Sequence, residues 1–228
     1  MNSRVSFISC ASIALAGSLL VAGCGGGDDD GLEPPLNLVI PSDADAGADQ
    51  RPQVTLTVSN GAGVDGTIVI TLVPEHAPQT VANFLNYVNS GFYDGTIFHR
   101  KDAGFVFQGG GFQGPVAPTD NPVPKQTNPP IPLEIKVSNV QGTVAMARTS
   151  ALNSATSQFF INLGNNTFLD YNNGGYAAFG YITDMTFVAG MAQAPCVSAV
   201  VTGGGSLGCL PVPNLVIVSA EQTRGATP

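Results

Sequence analysis

Tryptophan is missing from the 228-residue chain, histidine occurs twice, and Lys and Arg together number only 8 against 16 Asp and Glu. A formal net charge of −8 with so few cations leaves no basic patch for a phosphate backbone, which excludes nucleic acid as a partner. Two histidines 23 residues apart, His76 and His99, with no clustered thiols or carboxylates, make a poor metal site, so no metal is expected. Also missing are G-x-S-x-G, H-E-x-x-H, a Walker loop and a strand-borne G-x-G-x-x-G, which removes the common signatures of serine hydrolases, zinc proteases and nucleotide enzymes. What the chain has in quantity is glycine (28), proline (17) and hydrophobic residues (43%), with only 11% charged. That balance suits one β-rich domain with many turns better than a helical bundle.

The N-terminus, MNSRVSFISCASIALAGSLLVAGC, carries one positive charge at Arg4 and then an apolar run ending in small residues. It reads as an export signal, residues 1–23. Val21-Ala22-Gly23-Cys24 resembles a bacterial lipobox, which makes Cys24 a candidate for lipidation and for the mature N-terminus, with ordinary signal cleavage as the alternative. Removal of 1–23 leaves seven basic and 16 acidic side chains, a balance of −9. The Gly- and Asp-rich residues 24–52 read as a flexible tether. The expected location is therefore the bacterial cell envelope, lipid-anchored to a membrane and facing the periplasm. With Cys10 in the signal and Cys24 at the anchor, Cys196 and Cys209 remain, and an oxidising compartment favours their pairing as a disulfide. Such a bridge closes a loop of about 14 residues, worth roughly 3 kcal/mol in the chain-entropy model.

The folded domain is placed at 53–222, with 223–228 as a tail. In QVTLTVS, Val54, Leu56 and Val58 alternate, and in TIVITLV so do Ile68, Ile70 and Leu72, predicting two half-buried strands joined at Gly61-Ala62-Gly63. From Pro78 the period changes: Val81, Phe84, Leu85 and Val88 form one helical face, ended at Gly91. His76, just before that helix, is read as a surface or capping residue. Residues 114–132 are so rich in proline that no regular element is expected there. Short strands are expected near 142–147, 158–163 and 177–182, a second helix over 184–193 weakened by Gly190, a Gly-rich insertion at 196–209, and a closing strand over 214–221. Many short strands and two helices suggest a closed antiparallel barrel with helices over its openings.

The stretch FHRKDAGFVFQGGGF, 98–112, concentrates the available chemistry. His99 could serve as a base, though it lacks an evident partner to relay its proton; Asp102 is expected in a turn and need not face it. Arg100 keeps its proton, so it is either a surface ion pair or a fixed donor beside an apolar wall. Phe98, Phe105, Phe107 and Gln108, and a second aromatic and amide set in TSQFFIN, 156–162, supply the material for such a wall.

These blocks resemble the cyclophilin family of peptidyl-prolyl cis/trans isomerases, in particular its bacterial periplasmic branch. The resemblance rests on FHR at 98–100, GF at 104–105, QGGGF at 108–112, NPP at 128–130, GTVAMART at 142–149, SATSQFFIN at 154–162, FLD at 168–170 and AFG at 178–180, in order along residues 53–221. It implies a mainly β fold, a closed eight-stranded antiparallel barrel capped by two α-helices, with a proline pocket on its outer face. It further implies that Arg100 is the catalytic guanidinium and that Phe105, Phe160 and Leu169 line the pocket. By the same resemblance Gln108 holds substrate backbone, Ala147, Arg148 and Gln158 belong to the groove, and His99 supports the site without acting as a base. Val106, Phe168 and Tyr176 are likewise implied as substrate-binding positions, and stand where many relatives have methionine, tryptophan and histidine. Lys101-Asp102-Ala103 replaces an apolar pair and proline, and the glycines at 109–111 are read as allowing a tight turn. The implied activity is rotation of X-Pro bonds in unfolded or partly folded proline-containing polypeptides, by a monomer with no cofactor. The alternative is a catalytically weak module that binds proline segments on the same fold.

Overall fold

The computed structural model describes residues 49–115, 121–202 and 205–225. The expected signal at 1–23, Cys24, the tether as far as residue 48, and 226–228 lie outside them. Eleven strands run through the described residues: β1 (Gln53–Ser59), β2 (Asp65–Leu72), β3 (Thr96–Asp102), β4 (Val106–Gln113), β5 (Val123–Pro124), β6 (Thr143–Met146), β7 (Phe159–Asn162), β8 (Ala178–Tyr181), β9 (Cys196–Val200), β10 (Ser206–Pro211) and β11 (Leu215–Arg224). Helices α1 (Pro78–Asn89) and α2 (Thr186–Met191) follow β2 and β8.

Hydrogen bonding orders the main sheet β3-β11-β1-β2-β8-β6-β7-β4, and β4 pairs back with β3, so eight antiparallel strands close into the expected barrel. Closure leaves no long unpaired edge. The alternating residues Val54, Leu56, Val58, Ile68, Ile70 and Leu72 all point inward and are buried, as the period-2 pattern predicts. Between β1 and β2, the Asn60 carboxamide accepts from the Ala62 and Val64 amides at 2.8 and 3.0 Å. It thereby fixes a turn in which Gly61 and Gly63 take positive φ.

Helix α1 forms where the 3.6-residue apolar stripe predicts it, and Val81, Phe84, Leu85 and Val88 join the barrel core. Phe84 meets Phe159 edge-on at 5.7 Å and Phe179 at 4.9 Å. Its N-terminus takes no cap from His76. Instead Glu134 reaches across from a distant loop to accept from the Thr80 amide and hydroxyl, both at 2.8 Å, and from the Gln79 amide at 3.2 Å. A carboxylate at the positive end of a helix serves both the free amides and the dipole. Helix α2 is shorter than the predicted 184–193.

Two further expectations are corrected, and the disulfide-stapled insertion takes a definite form. The proline-rich 114–132 region contains β5, whose Val123 and Pro124 pair with Gln113 and Phe112. The glycine triplet lies inside β4 and not at a turn: a Cβ at Gly109 would meet the Phe98 ring at 2.8 Å, one at Gly111 the Gln158 side chain at 2.5 Å, and Gly110 has φ 77°. The 196–209 insertion is a two-stranded hairpin, β9–β10, bridged by Cys196–Cys209. Its Val201 and Leu210 pack with Ile97 of β3 and Phe112 of β4. Reduction is therefore expected to lower the unfolding midpoint by roughly 6–12 °C, the equivalent of about 3 kcal/mol in a domain of this size, as read by calorimetry with and without reductant. An unchanged midpoint would show that the loop constraint contributes nothing.

Candidate active site

Residues that alternate with the barrel core build a second apolar cluster outside it. In β7, Phe159 and Ile161 face the core while Phe160 faces outward; in β4, Phe107 faces the core while Val106 faces outward; Ala145 of β6 is also outward. Leu169, from a 3-10 turn at Thr167–Asp170, packs on this cluster, with Phe105, Ala147 and Tyr176 at its margin. The result is a pocket of about 290 Å³ lined by Arg100, Phe105, Val106, Gln108, Ala147, Arg148, Phe160, Leu169 and Tyr176.

Arg100 reaches this face through a β-bulge. Phe98 pairs with Gly109 but Arg100 with Gln108, so β3 carries one extra residue, His99, at this point. Strict alternation would put Arg100 on the core side with Phe98; the extra residue turns it to the pocket side. Its NH2 donates to Asp102 Oδ2 at 3.0 Å and its NH1 to Gln108 Oε1 at 3.5 Å, with the guanidinium 5.7 Å from the Phe105 ring centre. Gln108 Nε2 in turn donates to Gln158 Oε1 at 2.9 Å. Asp102, expected in the turn, is the last residue of β3, and its carboxylate grips Arg100.

His99 lies beneath the pocket and does not line it. It is 1% exposed, set edge-on to Phe112 at 4.6 Å, and its Nδ1 has no hydrogen-bond partner among the described residues. Burial pushes its pKa down from 6.5 to about 4; contacts with the Ile97 backbone and the Gln158 side chain offset part of that, and the neighbouring Arg100 charge adds to it. A histidine held neutral by burial, with no acid partner, is a structural residue here. The linkage has a definite sign. Between pH 6.5 and about 4 the unfolded chain binds a proton that the folded chain refuses, so stability falls with falling pH by up to about 3 kcal/mol. Above pH 6.5 this group contributes no slope. Urea melts across that range should show the loss, and His99→Gln should remove it; an equal slope in the variant would assign it to other groups.

Arg148 contributes to the wall and not as a free charge. Its Nε donates to Gly175 O at 3.0 Å, NH1 to Thr149 O at 2.9 Å and NH2 to Asn173 O at 2.6 Å, with the guanidinium 4.5 Å over the Tyr176 ring. Tyr176 meets Phe160 edge-on at 5.9 Å. Phe168 is 40% exposed and stacks on Phe105 at 5.7 Å, supporting the pocket from outside without lining it. Behind this wall the Asp170 carboxylate accepts from the Ser138 hydroxyl, the Asn139 amide at 2.7 Å and the Asn139 side chain at 2.9 Å. Asn166 Nδ2 donates to Phe105 O and to Asn162 Oδ1, both at 2.8 Å, which fixes the segment that presents Phe105.

An adjoining hollow of about 160 Å³ is lined by Gln108, Ala147, Arg148, Gln158 and by Thr149, Ser154 and Thr156. The last three were not singled out from sequence, although they lie inside the blocks that carry the resemblance; their small polar side chains gave no signal of their own. A larger hollow of about 450 Å³, between the β1–β2 turn and β11, is lined by Ser59, Asn60, Gly61, Pro115, Val212, Pro213, Asn214, Val216 and Val218. None of these described lining residues is ionisable. No group of three or more His, Cys, Asp or Glu residues suited to a metal occurs among the described residues.

Comparison with known proteins bears on the family and the fold. The family model described as cyclophilin type peptidyl-prolyl cis-trans isomerase/CLD matches residues 54–220. Peptidyl-prolyl cis-trans isomerase A of Dickeya dadantii is 45% identical over 159 residues, covering 68% of this chain and 79% of that protein. Peptidyl-prolyl cis-trans isomerase B of Escherichia coli K12 is 43% identical over 140 residues, covering 60% and 82%. A solved Cryptosporidium parvum cyclophilin type peptidyl-prolyl cis-trans isomerase superposes with a TM-score of 0.57 at 23% identity, over 78% of this chain and 99% of that one, which bears on the fold alone. An eight-stranded barrel with an arginine bulged outward over an apolar pocket, and a family match spanning that barrel, lead to one assignment: this chain belongs to the cyclophilin-type peptidyl-prolyl cis-trans isomerases.

Proposed function

We propose that this protein accelerates cis/trans rotation of X-Pro bonds in exported proteins from a lipid anchor at Cys24, facing the periplasm, and that Arg100 is its catalytic residue. The observation that carries the reading is the placement of Arg100, turned by the bulge to the rim of a pocket floored by Phe160, Val106 and Leu169. An apolar floor of this kind accommodates a proline ring.

A peptide bond resists rotation by about 18–20 kcal/mol because nitrogen shares its lone pair with the carbonyl. In the twisted transition state that pair returns to the prolyl nitrogen, which then accepts a hydrogen bond. Arg100 supplies the donor without giving up a proton. The bond is stronger in the transition state than in the ground state, so it lowers the barrier, by about 1.36 kcal/mol for each tenfold in rate. Phe105, Phe160 and Leu169 hold the ring while the preceding carbonyl swings, and Gln108 and Gln158 offer amides to the substrate backbone. His99, buried and neutral, takes no proton.

An isomerisation assay on a cis-prolyl peptide tests the activity; an inactive wild type would favour a module that binds proline segments without catalysis. Mass measurement of the mature N-terminus tests the anchor separately, and a chain beginning with unmodified Cys24 or elsewhere would overturn it.

A further inference from the structure

We propose that Asp102 is a positioning residue for Arg100, fixing the guanidinium in the orientation that faces the pocket; this rests on the reading of Arg100 given above. Among the contacts that hold Arg100, the carboxylate at 3.0 Å is the firm one: Gln108 Oε1 stands at 3.5 Å, the limit of a hydrogen bond, and the Phe105 ring centre at 5.7 Å. The Arg100 side chain is 41% exposed, so without an anchor its flexible stem samples many rotamers and the donor must be ordered at each turnover.

The backbone of Asp102 is held in place, although its carboxylate is half exposed, at 48%. It ends β3 opposite Val106, and its carbonyl accepts from the Phe105 amide at 3.0 Å across a turn that Gly104 completes at φ 74°. The preceding residue is tied down too, since Lys101 Nζ donates to Ala194 O, beside the disulfide hairpin. The Lys-Asp-Ala tract, which departs most from the resemblance, is thus anchored through the Lys101 side chain and the Asp102 backbone.

The anchoring leaves Arg100 able to act. A guanidinium carries five N–H donors in a fixed plane. Asp102 and Gln108 take one each, so three remain for the substrate. A carboxylate in this place could instead compete with the prolyl nitrogen, and the two roles predict opposite signs.

The test uses the full chain and a cis-prolyl peptide, with kcat and KM measured for wild type, Asp102→Ala, Asp102→Asn and Arg100→Ala at low salt and in 1 M NaCl. The size of the effect is that of an exposed ion pair, about two- to fivefold. Asp102→Ala is expected to lower kcat by that factor with KM within about twofold, and Asp102→Asn, which keeps an oxygen acceptor but loses the charge, to recover only part of it. Salt should bring wild type toward Asp102→Ala and leave that variant unmoved. Asp102→Ala at or above the wild-type rate would overturn the positioning role while leaving Arg100 as catalyst, provided Arg100→Ala is inactive. An inactive wild type would overturn both.

Discussion

Replacing Arg100 by alanine is expected to lower kcat/KM on a cis-prolyl peptide by about 10²–10³, the usual result of deleting one donor aimed at charge that develops in the transition state. Most of the loss should fall on kcat. The pocket floor is built by other side chains, so ground-state binding of the proline ring survives. The fold should survive as well, because Arg100 is 41% exposed and its side-chain partners are Asp102 and Gln108 on the same rim. An unchanged unfolding midpoint beside lost activity would therefore separate chemistry from stability. Arg100→Lys keeps the charge but not the planar fork, and should fall between the two. If Arg100→Ala kept more than a third of the wild-type rate, donation to the prolyl nitrogen would have to come from elsewhere.

Substituting Asp170 by alanine is expected to destabilise the domain by about 3–4 kcal/mol, although the residue lies outside the pocket. Its carboxylate is buried and accepts from three donors, the Ser138 hydroxyl and the Asn139 amide and side chain. Ser138 can rotate to a new acceptor, but the Asn139 backbone amide cannot, and a buried amide without a partner costs about 1–3 kcal/mol. The damage should spread to the site. Asn139 also holds Tyr176 O and receives Asn162, so the loop carrying Leu169 and the Tyr176 wall loosen together. Urea denaturation gives the stability change, and KM should rise along with it. A loss below about 1 kcal/mol would mean that water replaces the carboxylate, and the network would then not be what holds this wall.

How much of this was legible in the sequence depended on whether a signal was periodic or singular. The inward faces of β1 and β2 and the stripe Val81, Phe84, Leu85 and Val88 repeat over several residues, so pattern alone placed them. Cysteine arithmetic sufficed for Cys196–Cys209. The two-residue β5 is too short to show any period, and the β9–β10 hairpin exposes residues on both faces, so neither carries an alternation that marks a strand. Within the site, the resemblance named the residues that line the pocket, but not how Arg100 comes to face it. A bulge is a mismatch between two strands and cannot be read from either one alone. For the same reason the grip of Asp102 on Arg100 was invisible, since it depends on β3 continuing past the point where a turn was expected.

The first strand of the domain is bonded to the last, with Gln53 opposite Arg224. A chain emerging at about 5–20 residues per second completes the β1–β2 hairpin on the order of ten seconds before β11 exists. Throughout that interval β1 offers an open row of amides and carbonyls, a template on which a second nascent copy could add a strand. Loop-closure entropy delays the pairing further, because it joins the two most distant parts of the fold. The vulnerable period of this protein therefore falls during its own synthesis, before there is any barrel, and crowding by its own copies is the condition under which that vulnerability is greatest.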